Sequence, residues 1–256
     1  LALFALVVAA LSVLIVRSNL LEIEPALATF GAALGFAALA ILFAFLAFIV
    51  IWRTGKSGLG SALAGLFLSV LLLVYPAYLG YRASKLPSIS DITTDPSNPP
   101  RFDALAAARP ADRVAYPGEA TAKKQEAGYP DIAPLQVSTS AKVAYDVALA
   151  LVTKRKWRIA DARPPGAGRR EGTIEATART PIMGFRDDVV IRVSPDSDGA
   201  RVDVRSASRY GVSDLGTNAA RVRGLLEDID DGVGNAPEPR PEPVKKPEPK
   251  KRPGKR

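Results

Sequence analysis

Two stretches of this chain, Ala26–Trp52 and Leu59–Gly80, hold no charged residue, and nothing else in the sequence constrains the fold as strongly. A helix of about 20 mostly apolar residues crosses a bilayer core, and both runs are long enough to do so with some tilt. Leu1–Val16 is a third, shorter apolar run. The chain opens at Leu1 without an initiator Met, so residues preceding it are expected. A cleaved signal peptide is the rival reading of this first run, but the following Arg17-Ser-Asn-Leu-Leu-Glu-Ile-Glu24 lacks a small-x-small cleavage pattern. Residues 1–80 are therefore expected to form a transmembrane bundle of three helices, at about 1–16, 26–52 and 59–80. That makes the chain a multi-pass protein of the cell inner membrane.

Gly31 and Gly35 in the second run, and Ser61, Gly65 and Ser69 in the third, are small residues four apart. Such residues let membrane helices approach closely, so they are expected either to pack the three helices together or to join copies of the chain. Neither run contains an ionisable group for a proton or ion pathway. Trp52, Tyr75, Tyr78 and Tyr81 suit the bilayer interface. The loop Arg53–Gly58 carries two bases and no acid, whereas Arg17–Pro25 carries one base with Glu22 and Glu24. The positive-inside rule then puts the 53–58 loop in the cytoplasm and the polar remainder in the periplasm; Arg82 and Lys85 just after the third run argue the other way.

The chain has neither Cys nor His. This removes Ser-His-Asp and Cys-His catalysis, the usual zinc sites, haem ligation and iron–sulfur clusters. No cofactor is expected. The net charge of +8 resembles a nucleic-acid signal, but residues 236–256 alone hold eight Lys or Arg against three Glu. The rest of the polar chain is nearly balanced, so nucleic acid is not an expected partner.

Residues 81–128 read as an extended, proline-rich connector, because Pro87, Pro96, Pro99 and Pro100 forbid helix there. Short helices fit Phe102–Ala108 and Gly118–Ala127, with Lys123, Lys124 and Gln125 solvated. Residues 129–232 carry the soluble core. Ala133–Ser138 is a strand candidate, and Ser140 caps a helix running to Lys156. Trp157–Ala162, Gly172–Thr180, Asp188–Ser194 and Ala200–Arg209 alternate apolar and polar residues, with Pro195-Asp-Ser-Asp-Gly199 as a hairpin turn. In the last strand Val202, Val204, Ser206 and Ser208 face the core, while Arg201, Asp203, Arg205 and Arg209 face water. A second helix, about Gly216–Asp231, stops at Gly232. The expected fold is a membrane α-helical bundle followed by an α+β domain of order β-α-β4-α, one antiparallel sheet with both helices on one face. Residues 233–256 form a basic, proline-rich tail that cannot bury a core.

The run Gly184-Phe-Arg-Asp-Asp-Val-Val-Ile-Arg-Val193 resembles the DUF1499 family. So do Arg201-Val-Asp-Val-Arg-Ser-Ala-Ser-Arg-Tyr-Gly-Val-Ser-Asp-Leu-Gly-Thr-Asn-Ala-Ala-Arg-Val-Arg223 and the upstream Tyr129-Pro-Asp-Ile-Ala-Pro-Leu135. The likeness covers about residues 95–230, and the three-span layout looks like the alphaproteobacterial type. That family is one of unknown function, so the resemblance implies no activity and carries over no catalytic residue.

The densest polar group joins Ser206, Ser208, Arg209, Ser213, Asp214, Asn218 and Arg221 with Asp187 and Asp188. One reading is a pocket for an anion or small polar ligand, with helix N-terminal amides as donors and arginines as charge. The other is structural: Asp214 or Thr217 caps the helix and an Arg–Asp pair pins it to the sheet. Ile182, Met183 and Phe185 form an apolar hairpin tip, which either docks on the bilayer or a partner, or folds under residues 86–135. Asp196-Ser-Asp-Gly199 lacks the later ligands of a calcium loop. Gly55-Lys56-Ser57 lacks the first glycine of a phosphate loop. The expected role is that of a non-enzymatic binding or scaffold domain of the cell envelope. Its partners are the lipid bilayer, and another envelope protein or an anionic polymer met by the basic tail. The alternative is a hydrolase or transferase that works without His or Cys through a carboxylate and serine cluster.

Overall fold

The computed structural model describes residues 1–18, 23–166 and 170–235. The three apolar runs form helices α1 (Ala2–Ser18), α2 (Ile23–Thr54) and α3 (Leu59–Ala83). Helices α2 and α3 are long and apolar enough to cross a membrane. Helix α1 has 17 residues, about 25 Å at 1.5 Å per residue, against a core of about 30 Å. The helices meet through alanine: Ala5 and Ala9 of α1, and Ala33, Ala37, Ala40 and Ala44 of α2, are buried. Gly31 and Gly35 do not serve this packing, since a Cβ at either would touch nothing within 4 Å. Ser69 of α3 is buried and does serve it.

The soluble domain is built from β1 (Asp91–Thr93), α4 (Glu119–Gly128), β2 (Leu135–Val137), α5 (Ala141–Lys154), β3 (Arg158–Arg163), β4 (Gly172–Arg179), β5 (Arg186–Asp196), β6 (Gly199–Ser208) and α6 (Thr217–Gly234). All the strands pair antiparallel in the order β1-β6-β5-β4-β3, and β2 takes the other end of the β6 edge. The hairpin turn between β5 and β6 falls where expected. Gly199 holds a φ of +148 there, and a Cβ on it would come within 2.1 Å of the Val137 carbonyl oxygen. Ser140 caps α5 by accepting from the Val143 amide at 3.3 Å. Helices α5 and α6 lie on one sheet face, over Ile174, Val189, Ile191, Val202 and Val204. Helix α6 does not stop at Gly232 but runs to Gly234. Gly232 is instead a close approach to α5, because a Cβ there would lie 2.7 Å from Val147.

The segment read as a connector is part of the domain. Strand β1 extends the sheet, with Ile92 fully buried. Gln125, expected to be solvated, is 2% exposed. Its amide donates to the Thr93 carbonyl and accepts from the Thr93 amide, at 2.7 and 3.0 Å, closing the free edge of β1 as a neighbouring strand would. The stretch expected as a helix at 102–108 is a 3₁₀ turn over Ala106–Ala108, followed by another at Ala111–Arg113. This strap covers the second face of the sheet, placing Phe102 and Leu105 on Val190 and Ala207. The face expected to be wet is therefore dry: Glu175, Asp203 and Arg205 are each 1% exposed. The basic tail beyond Asn235 lies outside the described residues.

Candidate functional site

Alternation along a strand sends neighbouring residues to opposite faces, and this divides the polar group read from the sequence into two. On the helix face, Ser206 Oγ donates to Asn218 Oδ1 at 2.7 Å, and Asn218 Nδ2 donates to Ser208 Oγ at 2.9 Å. Ser208 Oγ donates to Asp187 Oδ1, and Arg221 Nη2 to Asp187 Oδ2, both at 2.6 Å. Arg221 also bonds Ser206 Oγ and Asn218 Oδ1. Asp214 accepts from the amides of Gly216 and Asn218 at 2.9 and 2.7 Å, so it caps α6 from outside the helix. Burial raises the Asp214 carboxyl above the ordinary aspartate range, although the two amides and nearby Asn218 pull it back.

On the opposite face Asp188 is fully buried. It accepts from Arg109 at 2.8 Å, from Arg209 at 2.9 Å through both oxygens, and from Thr177 at 2.8 Å. Burial lowers the Arg109 guanidinium, and its hydrogen bond to Asp188 works against that. Arg109 comes from the strap and stacks on Phe102 at 4.5 Å. Asp188 thus fastens the strap to the sheet through Arg109, and Asp188 and Arg209 are separated by the sheet from Asp187, Ser206, Ser208, Asn218 and Arg221. Three further anchors were not legible in the sequence. Arg205 pairs with Asp91 at 2.8 and 3.0 Å. Glu175 accepts from the amides of Asp103, Ala104 and Leu105, each at 3.0 Å. Asp203 gathers Arg192, Arg201 and Thr94.

The apolar tip lies against the chain's own helices. Arg17, at the end of α1, donates to the carbonyls of Pro181 and Ile182 at 2.6 and 3.0 Å. Arg179 returns a bond to the Arg17 carbonyl at 3.1 Å. Between tip and helices lies a cavity of about 270 Å³. Ile23 and Leu27 of α2, and Tyr75 and Leu79 of α3, form one wall, facing Ile182, Met183 and Phe185. Asp187, Ser208 and Asp214 from the helix-face side, Arg82 of α3 and Arg186 also line it. Asp187, Ser208 and Asp214 of the helix-face group thus line one space with the tip, two separate candidates in the sequence, whereas Ser206, Asn218 and Arg221 lie outside it. Arg109, Arg209 and Arg221 pair with carboxylates, whereas Arg82 and Arg186 pair with none among the described residues. Burial, with Arg209, Arg179 and Arg158 nearby, lowers the Arg186 guanidinium. Beside Arg82 the Tyr129 hydroxyl is buried without a hydrogen-bond partner; a Cβ at Gly216 would lie 3.4 Å from that hydroxyl and 3.6 Å from Arg82 Nη2. Among the described residues no three metal-ligating side chains converge.

A family profile described as "Protein of unknown function (DUF1499)" matches residues 91–229, more than half of the chain, and the chain belongs to that family. The match begins at β1, in keeping with a domain that includes the strap. No curated protein matches the chain. Among solved structures, a crystal structure of the vertebrate conserved region of human METTL16 matches at 15% identity, covering 44% of this chain and 88% of that one. The TM-score is 0.29, too low to carry an argument about fold or function.

Proposed function

We propose that this DUF1499 chain is a multi-pass inner-membrane protein, of the three-span alphaproteobacterial layout, whose soluble domain is a non-enzymatic ligand-binding module of the cell envelope. The observation behind this reading is the cavity at the junction, lined by apolar residues of α2, α3 and the tip with a few charged and polar groups among them. A small number of polar groups converging in a mostly apolar concavity is the usual form of a ligand site. The ends of α1 and α3 and the start of α2 lie together at the domain, so the basic loop at Arg53 and Lys56 lies at the far end of the helices. Positive charge favours the cytoplasm for that loop, which puts the domain in the periplasm. Alkaline phosphatase fused after Asn235 should then be active and green fluorescent protein at the same point dark; the reverse pattern overturns the topology. The binding role is tested by Met183→Trp, which fills the cavity. Mass spectrometry of the full chain purified in mild detergent should find a small molecule retained by the wild type and lost from the variant. Identical contents in the two proteins overturn the role.

One observation favours the alternative of a hydrolase or transferase. Asp214 is a carboxyl raised by burial at the edge of a cavity, the kind of group that serves acid–base chemistry. Against it, both Asp214 oxygens are taken by helix amides, and the Ser208 hydroxyl donates to an aspartate already held by Arg221. Among the described residues nothing beside Ser208 is placed to activate it as a nucleophile.

A further inference from the structure

We infer that the junction cavity takes an acidic membrane lipid, with its anionic headgroup on Arg82 and Arg186 and an acyl chain along the wall of Leu27, Leu79 and Met183. The inference rests on the reading of this cavity as the ligand site and names the class of ligand. Charge is the first ground. Of the four ionisable groups lining the cavity, Asp187 is neutralised by Arg221 at 2.6 Å, while Asp214 is hydrogen-bonded by the amides of Gly216 and Asn218 but has no cationic partner among the described residues. Arg82 and Arg186 have no ion-pair partner among the described residues, so with Asp187 offset by Arg221 the lining holds two guanidiniums against the one carboxyl of Asp214. Arg186 is half-buried with Arg179, Arg158 and Arg209 close by. A guanidinium withdrawn from water without a counter-ion is costly, and a phosphate oxygen pair matches its planar fork.

Position is the second ground. The cavity sits where α2 begins and α3 ends, which for spanning helices is the boundary between hydrocarbon and water. Lipid headgroups occupy that level. A free phosphate would use the arginines and leave the apolar wall of the cavity without a partner. A volume of about 270 Å³ is less than a whole lipid needs. The remaining chain length can leave past Leu27 and Tyr75, which are 40% and 47% exposed on the helix surface.

The test is native mass spectrometry of the full chain released from vesicles holding equal amounts of phosphatidylglycerol and phosphatidylcholine. The wild type should retain the acidic lipid over the zwitterionic one by about tenfold. Arg82→Gln with Arg186→Gln should retain both lipids alike, with an unchanged unfolding temperature. Inorganic phosphate at millimolar concentration should displace neither. An unchanged preference in the double variant overturns the inference, as does displacement of the lipid by phosphate, which would mark a soluble anion as the ligand. Met183→Trp separates the two levels. If that variant loses a neutral molecule, the cavity is a ligand site and the acidic lipid is wrong. If it loses nothing, both readings fall.

Discussion

Replacing Asp91 by Ala should unfasten the strap from the sheet. Arg205 is 1% exposed and makes four hydrogen bonds. Two go to the Asp91 carboxylate at 3.0 and 2.8 Å, and two go to the carbonyls of Pro100 and Val114, both at 3.2 Å. Phe102 and Tyr116 stack on its guanidinium at 4.6 and 5.8 Å. Burial, together with Asp91, pushes the Tyr116 hydroxyl up to about 12, so it stays protonated at any working pH. Asp91→Ala removes two charge-assisted bonds, each worth about 1.5–3 kcal/mol, and leaves a guanidinium buried without its counter-ion. Breaking a buried pair in this way costs about 3–5 kcal/mol. That is a large part of the total stability of about 5–15 kcal/mol expected for a domain. Urea unfolding of the full chain in detergent, followed by pulse proteolysis, reads the loss directly. The double change Asp91→Ala with Arg205→Met should recover much of it, because the stranded charge goes with its partner. A loss below about 1 kcal/mol for Asp91→Ala, the range of exposed ion pairs, would refute the buried strap.

Other perturbations probe other parts of the fold. Glu175→Ala leaves the amides of Asp103, Ala104 and Leu105 without their acceptor. It should cost about 2–4 kcal/mol in the same assay, with a smaller loss for Glu175→Gln. Gly199→Ala forces a Cβ onto the Val137 carbonyl at a φ of +148. It should lower stability by at least about 2 kcal/mol and weaken amide exchange protection in β2 before β5. Burial raises the folded Asp214 carboxyl above its ordinary 3.8. Its contribution is therefore fully present below that value and is lost as pH rises through the folded value. Asp214→Asn should flatten that part of the curve of stability against pH; an unchanged slope would mean the carboxyl is not withdrawn from water.

The elements that sequence periodicity governs were legible. The Ser140 cap, the stripe of α5 and the alternating strands β4 to β6 follow from local rules, and so do the two long apolar helices. The strap was not legible, because its structure is non-local. Four prolines exclude a helix between residues 87 and 100 but say nothing of pairing, and β1 has only three residues. The polar face of β6 looked solvated for the same reason. Arg205 and Asp203 read as ordinary wet-side residues unless their partners, 114 and 109 positions away for Asp91 and Thr94, are known. Period-two alternation did contain the split of the candidate site. Asp187 and Asp188 are adjacent in a strand, so one sheet face was never going to hold both. The joining of the apolar tip to the Asp187, Ser208 and Asp214 end needed the placement of the helices, which no local pattern encodes. Gly31 and Gly35 misled because small-residue spacing marks a close-approach face without naming its partner; alanines on another face of α2 supply the contact.

The most direct measurement places a photo-crosslinking benzoylphenylalanine at Ile182, whose side chain is 45% exposed at the edge of the cavity. The full chain is irradiated in native membranes and the adducts are identified by mass spectrometry. A tip docked on its own helices over a lipid-filled cavity should give crosslinks to residues 23–27 or 75–82 of the same chain and adducts of lipid mass. Adducts chiefly to another protein, with no lipid and no crosslink within the chain, would contradict both the docked tip and the lipid-filled cavity.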